Sequence, residues 1–372
     1  MRSPARFIVD THAHLTTLYQ PKGTKGMQSP EKIKEWTVEA IMGKVVVEME
    51  SFDNSPLCLY DMDRYGIDMC LLKPSVIGTT NESQAALVDK YPDKFRAFCS
   101  DGQLNIKVAR GEAKWTLDDA ADEVEKALKT GKFIGIGEMV PSGGKRPGQS
   151  FEERLNEYRT FAELARKYGV SIDFHDFDRH SFDCYELIAR LALEYPDVPV
   201  IFCHAGYSIG SYTRGSELIR KACGVAQYVN NVYLETGNWP AEYFKYALKN
   251  PNVGPTQLIW GGDYGNVPQY IMQNPLGDPP TFVSVMKRFP PTPYYHVDWW
   301  GWALHQIDRV RDWATADEIN LILGGNAAKI WRLPVPHERM FLSGRPDVFG
   351  IHWEESVPYI PREQVRYPDY ED

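Results

Sequence analysis

The sequence predicts an α/β chain folded as a (β/α)8 TIM barrel, and three observations predict it. Apolar runs of strand length recur at roughly 6–11, 68–74, 95–100, 133–139, 169–175, 198–204, 231–236 and 257–263. These runs are nearly continuous rather than alternating, as expected of parallel strands covered by helices. Helical patterns lie between them, and eight strand–helix units in 372 residues favour a closed barrel over an open doubly wound sheet. No Gly-x-Gly-x-x-Gly follows the first run, which counts against the dinucleotide-binding form of the open sheet.

The elements follow in order. The first strand, containing Phe7-Ile8-Val9, leads into a long insertion, 15–55, with Ser29-Pro30-Glu31 as a helix start. The first barrel helix then carries Asp61, Asp63 and Arg64 on what reads as a solvated face. Thr116-Leu117-Asp118-Asp119 opens a helix over Ala120–Leu128, which Gly131 stops. Ser150-Phe151-Glu152-Glu153 is a capping box before Arg154–Tyr168, and Gly169 ends that helix. Ser181–Tyr195 and Ser211–Val229 follow the next two strands. Thr315-Ala316-Asp317-Glu318 caps Ile319–Leu323, and Asn326 is expected to cap a further short helix. A second insertion, 264–313, follows the last strand and holds Tyr294, Tyr295, Trp299, Trp300 and Trp302. Residues 333–372 are rich in proline and aromatics and read as an extended tail beyond a barrel domain of residues 1–332. Loops of this length usually serve function or form interfaces. The tail and the aromatic insertion are therefore expected to join the chain to a second subunit, in a homo- or hetero-oligomer, or to wall the pocket as a lid.

Composition narrows the functional classes. Hydrophobic content of 43% and charged content of 24% are those of a globular protein. A net charge of −9 argues against nucleic acid or an anionic membrane as partner. No apolar run reaches membrane-span length, and Met1–Arg6 lacks a signal-peptide core. The six cysteines show no Cys-x-x-Cys spacing and read as reduced, mostly buried thiols of a cytoplasmic protein.

The chemistry is concentrated where strands end. His12 and His14 stand at i and i+2, so both imidazoles face one side of the first strand. Glu138 closes Phe133-Ile134-Gly135-Ile136-Gly137, His175 follows Val170–Phe174, His204 follows Val198–Cys203, and Asp263 follows Leu258–Gly262. In a barrel all of these meet at the C-terminal face, where active sites form. Imidazole with carboxylate suits a divalent metal such as zinc, iron or manganese. One ion needs about three or four protein ligands; these candidates would serve two. Glu138 is the candidate bridge, with His12, His14 and Asp263 on one ion and His175 and His204 on the other. With one ion bound, His204 becomes a general acid/base and Glu138 a supporting or substrate-contacting group. Asp263 can also take a proton from metal-activated water. Lys73 and Arg179 are candidates to pair with a substrate carboxylate, and Glu235 to reach the site or fix a ligand imidazole.

These residues resemble the amidohydrolase superfamily, whose pattern is His-x-His on strand 1, His on strands 5 and 6, and Asp on strand 8. Cys203-His204-Ala205-Gly206 and Gly261-Gly262-Asp263 are similar to the amidohydrolase-2 family and its aminocarboxymuconate semialdehyde decarboxylase-like branch. Gly325-Asn326-Ala327 resembles that family's C-terminal motif. The strand-4 glutamate departs from the one-metal decarboxylases and matches the bridging acid of two-metal members. The resemblance implies a metal-dependent hydrolase acting on a small carboxylate- or amide-type substrate. Its alternatives are a non-oxidative decarboxylase, a dinuclear O2-dependent hydroxylase resembling 2-aminoisobutyrate hydroxylase and working as paired subunits, and a structural partner subunit.

Overall fold

A computed structural model describes residues 6–15, 20–21, 49–50, 55–74, 79–109, 111–139, 149–175, 184–206, 215–237, 239–264 and 299–336. Eight parallel strands form one sheet in sequence order: β1 Val9–Ala13, β2 Met69–Leu72, β3 Phe95–Cys99, β4 Phe133–Met139, β5 Ser171–His175, β6 Val200–Cys203, β7 Val232–Glu235 and β8 Leu258–Ile259. β8 is only two residues long, and the chain beyond it completes the circuit. Tyr264 bridges in parallel to Ala13, and Tyr264 N donates to His12 O at 3.0 Å. The fold is therefore a nearly closed (β/α)8 barrel, as the sequence predicts.

The predicted helices stand behind the strands, with their caps in place. Thr116 accepts from Asp119 N ahead of Leu117–Leu128. Ser150 and Glu153 form a capping box ahead of Phe151–Tyr168, and Gly169 ends that helix at φ 65°. Thr315 and Glu318 do the same for Ala316–Asn320. Three expectations need correction. Asn326 does not cap a helix; its Nδ2 donates to the carbonyls of Pro255 (2.8 Å) and Leu258 (2.7 Å), pinning the start of β8. Trp299–Arg309, expected within a loop, is an α-helix. Asp61 is not a free solvated group: its Oδ2 accepts from Tyr264 OH at 2.9 Å, while Asp63 and Arg64 on the same helix are exposed. The extended tail beyond 336 and most of both insertions lie outside the described residues.

The barrel interior is built in layers. Phe7, Val9, Met69, Leu71, Phe98, Ile201 and Ile259 fill its lower part, closed from below by Ala327, Trp331 and Leu333. Trp331 meets Phe98 edge-to-face at 5.8 Å and donates to Ser171 Oγ at 3.0 Å. The two-residue period of strands then places Lys73 two residues beyond Leu71, Asp173 beyond Ser171, Cys203 beyond Ile201 and Glu235 beyond Tyr233. An apolar floor thus gives way to a buried polar layer, on which the C-terminal mouth is built. A larger apolar cluster packs the helices against the outside of the sheet. All six cysteines are buried thiols outside any disulfide. Among the described residues no helix is long and apolar enough to cross a membrane.

Candidate metal centre

The mouth of the barrel is fixed first by Asp10, two residues before His12. Its Oδ1 accepts from His12 N (2.9 Å) and Gly262 N (2.7 Å), and its Oδ2 accepts from Trp300 Nε1. One buried carboxylate therefore ties the first strand, the end of the last strand and the helix Trp299–Arg309 within the second insertion. Trp300 stacks on Tyr264 at 4.2 Å. Beyond these anchors the chain turns sharply. His204 and Asp263 adopt φ of 55° and 52°, a left-handed conformation that costs a non-glycine residue about 1–2 kcal/mol. Such strain collects at sites where side-chain placement matters more than backbone comfort.

The six sequence candidates converge in two overlapping groups. In the first, His12 Nε2 lies 3.0 Å from His14 Nε2, 3.3 Å from Glu138 Oε2 and 3.7 Å from Asp263 Oδ1. His14 Nε2 lies 3.8 Å from Glu138 Oε2 and 3.5 Å from Asp263 Oδ1. Four ligands held tetrahedrally at metal–ligand distances near 2.1 Å stand about 3.4 Å from one another, and these separations scatter around that value. In the second, Glu138 Oε1 lies 4.0 Å from His175 Nε2 and 3.9 Å from His204 Nε2, and Asp263 Oδ2 lies 3.8 Å from His204 Nε2. Both carboxylates thus turn one oxygen to each group.

The outward faces of the first two imidazoles are already engaged. His12 Nδ1 meets Glu235 Oε2 at 2.6 Å, and His14 Nδ1 meets Lys73 O at 3.2 Å. Carboxylate and carbonyl oxygens can only accept, so each Nδ1 carries a proton and each Nε2 lone pair is left for the centre. The two Nε2 atoms stand 3.0 Å apart, close enough to share a proton in the metal-free protein, and both would face a cation that displaced it. Glu138 Oε1 and His204 Nδ1 are buried with no hydrogen-bond partner among the described residues.

Electrostatics agrees with the geometry. Burial opposes a charge on His12, but Glu138 and Glu235 outweigh it and hold its pKa well above the ordinary imidazole value. Burial likewise opposes ionised Glu138, and His12, His175 and His14 overcome it, pulling its pKa well down. For Asp263 burial is overcome by the imidazoles around it, His204, His14 and His12, which pull its pKa down. His204 itself is lowered, because burial outweighs Glu235 and Asp263. The carboxylates demand positive charge at the centre and stay ionised to receive it. The donor set, its spacing and its charge fit a divalent metal site.

The remaining sequence candidates fall differently. Lys73 is buried and forms an ion pair with Asp173, with its ammonium 3.9 Å from the centre of the Phe98 ring. Asp173 is held in turn by Ser171 Oγ at 2.8 Å. The ion pair sets the ammonium in the buried polar layer beneath the ligands. Arg179, Tyr294 and Tyr295 lie outside the described residues, as do the side chains of Trp299 and Trp302. Sequence reasoning passed over Asp10 and Asp173; each sits two residues before a ligand-type histidine on the same strand, and that spacing was the available signal. His175 is the most open of the six, its side chain 26% exposed against 3% for Glu138. Among the described residues its edge is where the cluster meets the surface.

A parallel barrel with imidazoles and carboxylates clustered at its C-terminal mouth has its candidate site where barrels of this architecture place their active sites. Residues 9–333 match the family model described as amidohydrolase, and the chain belongs to that family. No curated protein matches the chain. Among solved structures it is similar to 4-oxalomesaconate hydratase from Rhodopseudomonas palustris (15% identity, 88% of this chain and 96% of that one, TM-score 0.47). It is also similar to a β-aspartyl dipeptidase from Fervidobacterium islandicum AW-1 (12% identity, 88% and 75%, TM-score 0.48). A third is an amidohydrolase from Burkholderia multivorans with bound zinc (14% identity, 88% and 100%, TM-score 0.47).

Proposed function

We propose that this amidohydrolase is a two-metal hydrolase acting on a small carboxylate- or amide-type substrate. The observation that supports it is Glu138, whose two oxygens face different histidine pairs. In this reading His12, His14 and Asp263 hold one divalent ion, His175 and His204 the other, and Glu138 both. Charge supports cations at this centre. Lys73 answers Asp173, while the buried Glu138 and Glu235 carboxylates meet imidazoles. Uncompensated buried charge is costly, and divalent cations would offset it.

Divalent cations held by these residues would supply an acidified water and a Lewis acid for the scissile carbonyl. The chain's own residues do the rest. Asp263 Oδ2 accepts the proton of the attacking water and returns it to the leaving group. His204 would present its Nε2 as a ligand between the two carboxylates, 3.8 Å from Asp263 Oδ2 and 3.9 Å from Glu138 Oε1. Asp10 and Trp300 keep the backbone of His12 and Gly262 from moving as charge develops. Substrate enters over the His175 edge. A bridging glutamate weighs against one-metal decarboxylation, which does not call for it. The same carboxylate–imidazole set suits iron and manganese as well as zinc, so O2-dependent hydroxylation is the second reading, with paired subunits joined through the tail and aromatic insertion.

The test is turnover of a panel of N-acyl amino acids, lactones and small amides by protein loaded separately with zinc, manganese and iron. Metal-dependent hydrolysis supports the first reading. Oxygen consumption coupled to hydroxylation of a small acid, without hydrolysis, replaces it with the second.

A further inference from the structure

We infer that Glu235 is a positioning residue shared by both halves of the metal centre: it fixes the His12 imidazole and the His204 backbone together. The inference rests on the metal-site reading and goes beyond its ligand set, because strand β7 contributes no ligand to that reading. Glu235 ends β7 and is fully buried. Its Oε2 accepts from His12 Nδ1 at 2.6 Å and from His204 N at 3.2 Å. Its Oε1 accepts from Gly237 N at 2.5 Å. The same Oε2 lies 3.8 Å from His204 Nδ1, and the His12 and His204 rings stack at 4.6 Å.

The surroundings are shaped for this carboxylate. A Cβ at Gly261 would fall 2.3 Å from Glu235 Oε1. A Cβ at Gly237 would fall 2.6 Å from the same oxygen and 2.4 Å from His204 Nδ1. Only glycine at both positions lets two loops close over the carboxylate. Glutamate is also the side chain that suits every contact. Its two oxygens face N–H donors on both sides, from His12 and His204 on one and Gly237 on the other. A glutamine whose carbonyl keeps the His12 contact must aim its NH2 at the Gly237 N–H, donor against donor. Because Glu235 holds Nδ1–H of His12, the Nε2 lone pair is presented to the centre. Because it also holds His204 N, a ligand of the other half moves if Glu235 moves.

The experiment is zinc(II) and manganese(II) titration against a competing chelator, comparing wild type with Glu235→Gln, alongside melting of the metal-free proteins. Glu235→Gln is expected to weaken both metal positions by ~10–100-fold, the usual loss when a ligand's hydrogen-bond partner is removed, with the metal-free protein less stable but still melting cooperatively. Unchanged metal affinity, or loss at one position only, overturns the shared positioning role. A lowered melting temperature with unchanged affinity identifies a purely structural residue and overturns it too. Wild type supplies a second measurement that does not depend on the variant folding. With 113Cd and 15N-labelled histidine, cadmium is expected to couple to Nε2 of His12 while Nδ1 keeps a slowly exchanging proton. Coupling through Nδ1 overturns the inference. If wild type binds none of these ions, the metal-site reading has failed and this inference falls with it; if wild type binds two and the variant binds them equally well, only the Glu235 role has failed.

Discussion

Glu138 meets His12 through Oε2 at 3.3 Å, and turns its other oxygen away toward His204, 3.9 Å from that ring's Nε2. A carboxylate placed this way has one oxygen for each of two cations.

Glu138→Gln should therefore lower metal content from two ions toward one. An amide is a poor bridge, since it offers one neutral oxygen and a donor where two anionic oxygens stood. Elemental analysis of the variant purified beside wild type checks this. Undiminished metal content would remove Glu138 from the bridge.

Asp263→Asn should abolish proton transfer while leaving the barrel intact. The expected loss in kcat is about 10²–10⁴-fold, the usual worth of a positioned acid/base. Circular dichroism and melting should stay near wild type when metal is supplied. Full activity in the variant would contradict the assigned role.

Lys73→Ala separates a structural ion pair from a substrate contact. Removing one partner leaves Asp173 charged and unanswered inside the barrel, a loss of ~3–5 kcal/mol. A large fall in denaturation midpoint is expected. A variant with unchanged stability and only a raised KM would restore Lys73 to the substrate.

The sequence expectation for Lys73 shows where pattern reading stops. All six ligand candidates were legible because each closes or follows an apolar run, and the barrel carries such positions to one mouth. Lys73 fits the same rule, yet its partner Asp173 is 100 residues away, and no local spacing announces the pair. Glu235 was legible only as a strand-end acid; the contact that gives it meaning crosses 223 residues to His12. Asp10 ties strands that meet only when the barrel closes, 252 residues apart at Gly262. The helix Trp299–Arg309 lies within 264–313, which reads as one long insertion, and the burial of Trp300 against Tyr264 and Asp10 depends on partners far off in sequence.

The pH dependence of metal binding has a definite sign. His12 has its metal-free pKa raised above the ordinary imidazole value, so near neutral pH a metal must displace a proton to reach Nε2. Binding should release protons at pH 7, seen as a dependence of calorimetric heat on buffer ionisation enthalpy. The same group gives the metal-free protein stability that is fully present below the unfolded imidazole pKa and is lost as pH rises through the raised value. Glu138 acts at the other end: its depressed pKa gives stability present above the ordinary carboxylate range and lost as pH falls through the depressed value. The stabilisation conferred by metal should hence grow from pH 6 to pH 8, by up to ~1.4 kcal/mol per unit for each displaced proton. A gap in melting temperature that shrinks over this range would contradict the charge balance described.

The most direct test is the number of metal ions per chain, measured by elemental analysis on protein purified without added metal and again after reconstitution and desalting. The two-metal reading predicts close to two tightly held divalent ions per chain after reconstitution. Saturation at one ion would contradict it, remove Glu138 from the bridging role and leave His204 as an acid/base beside a single metal.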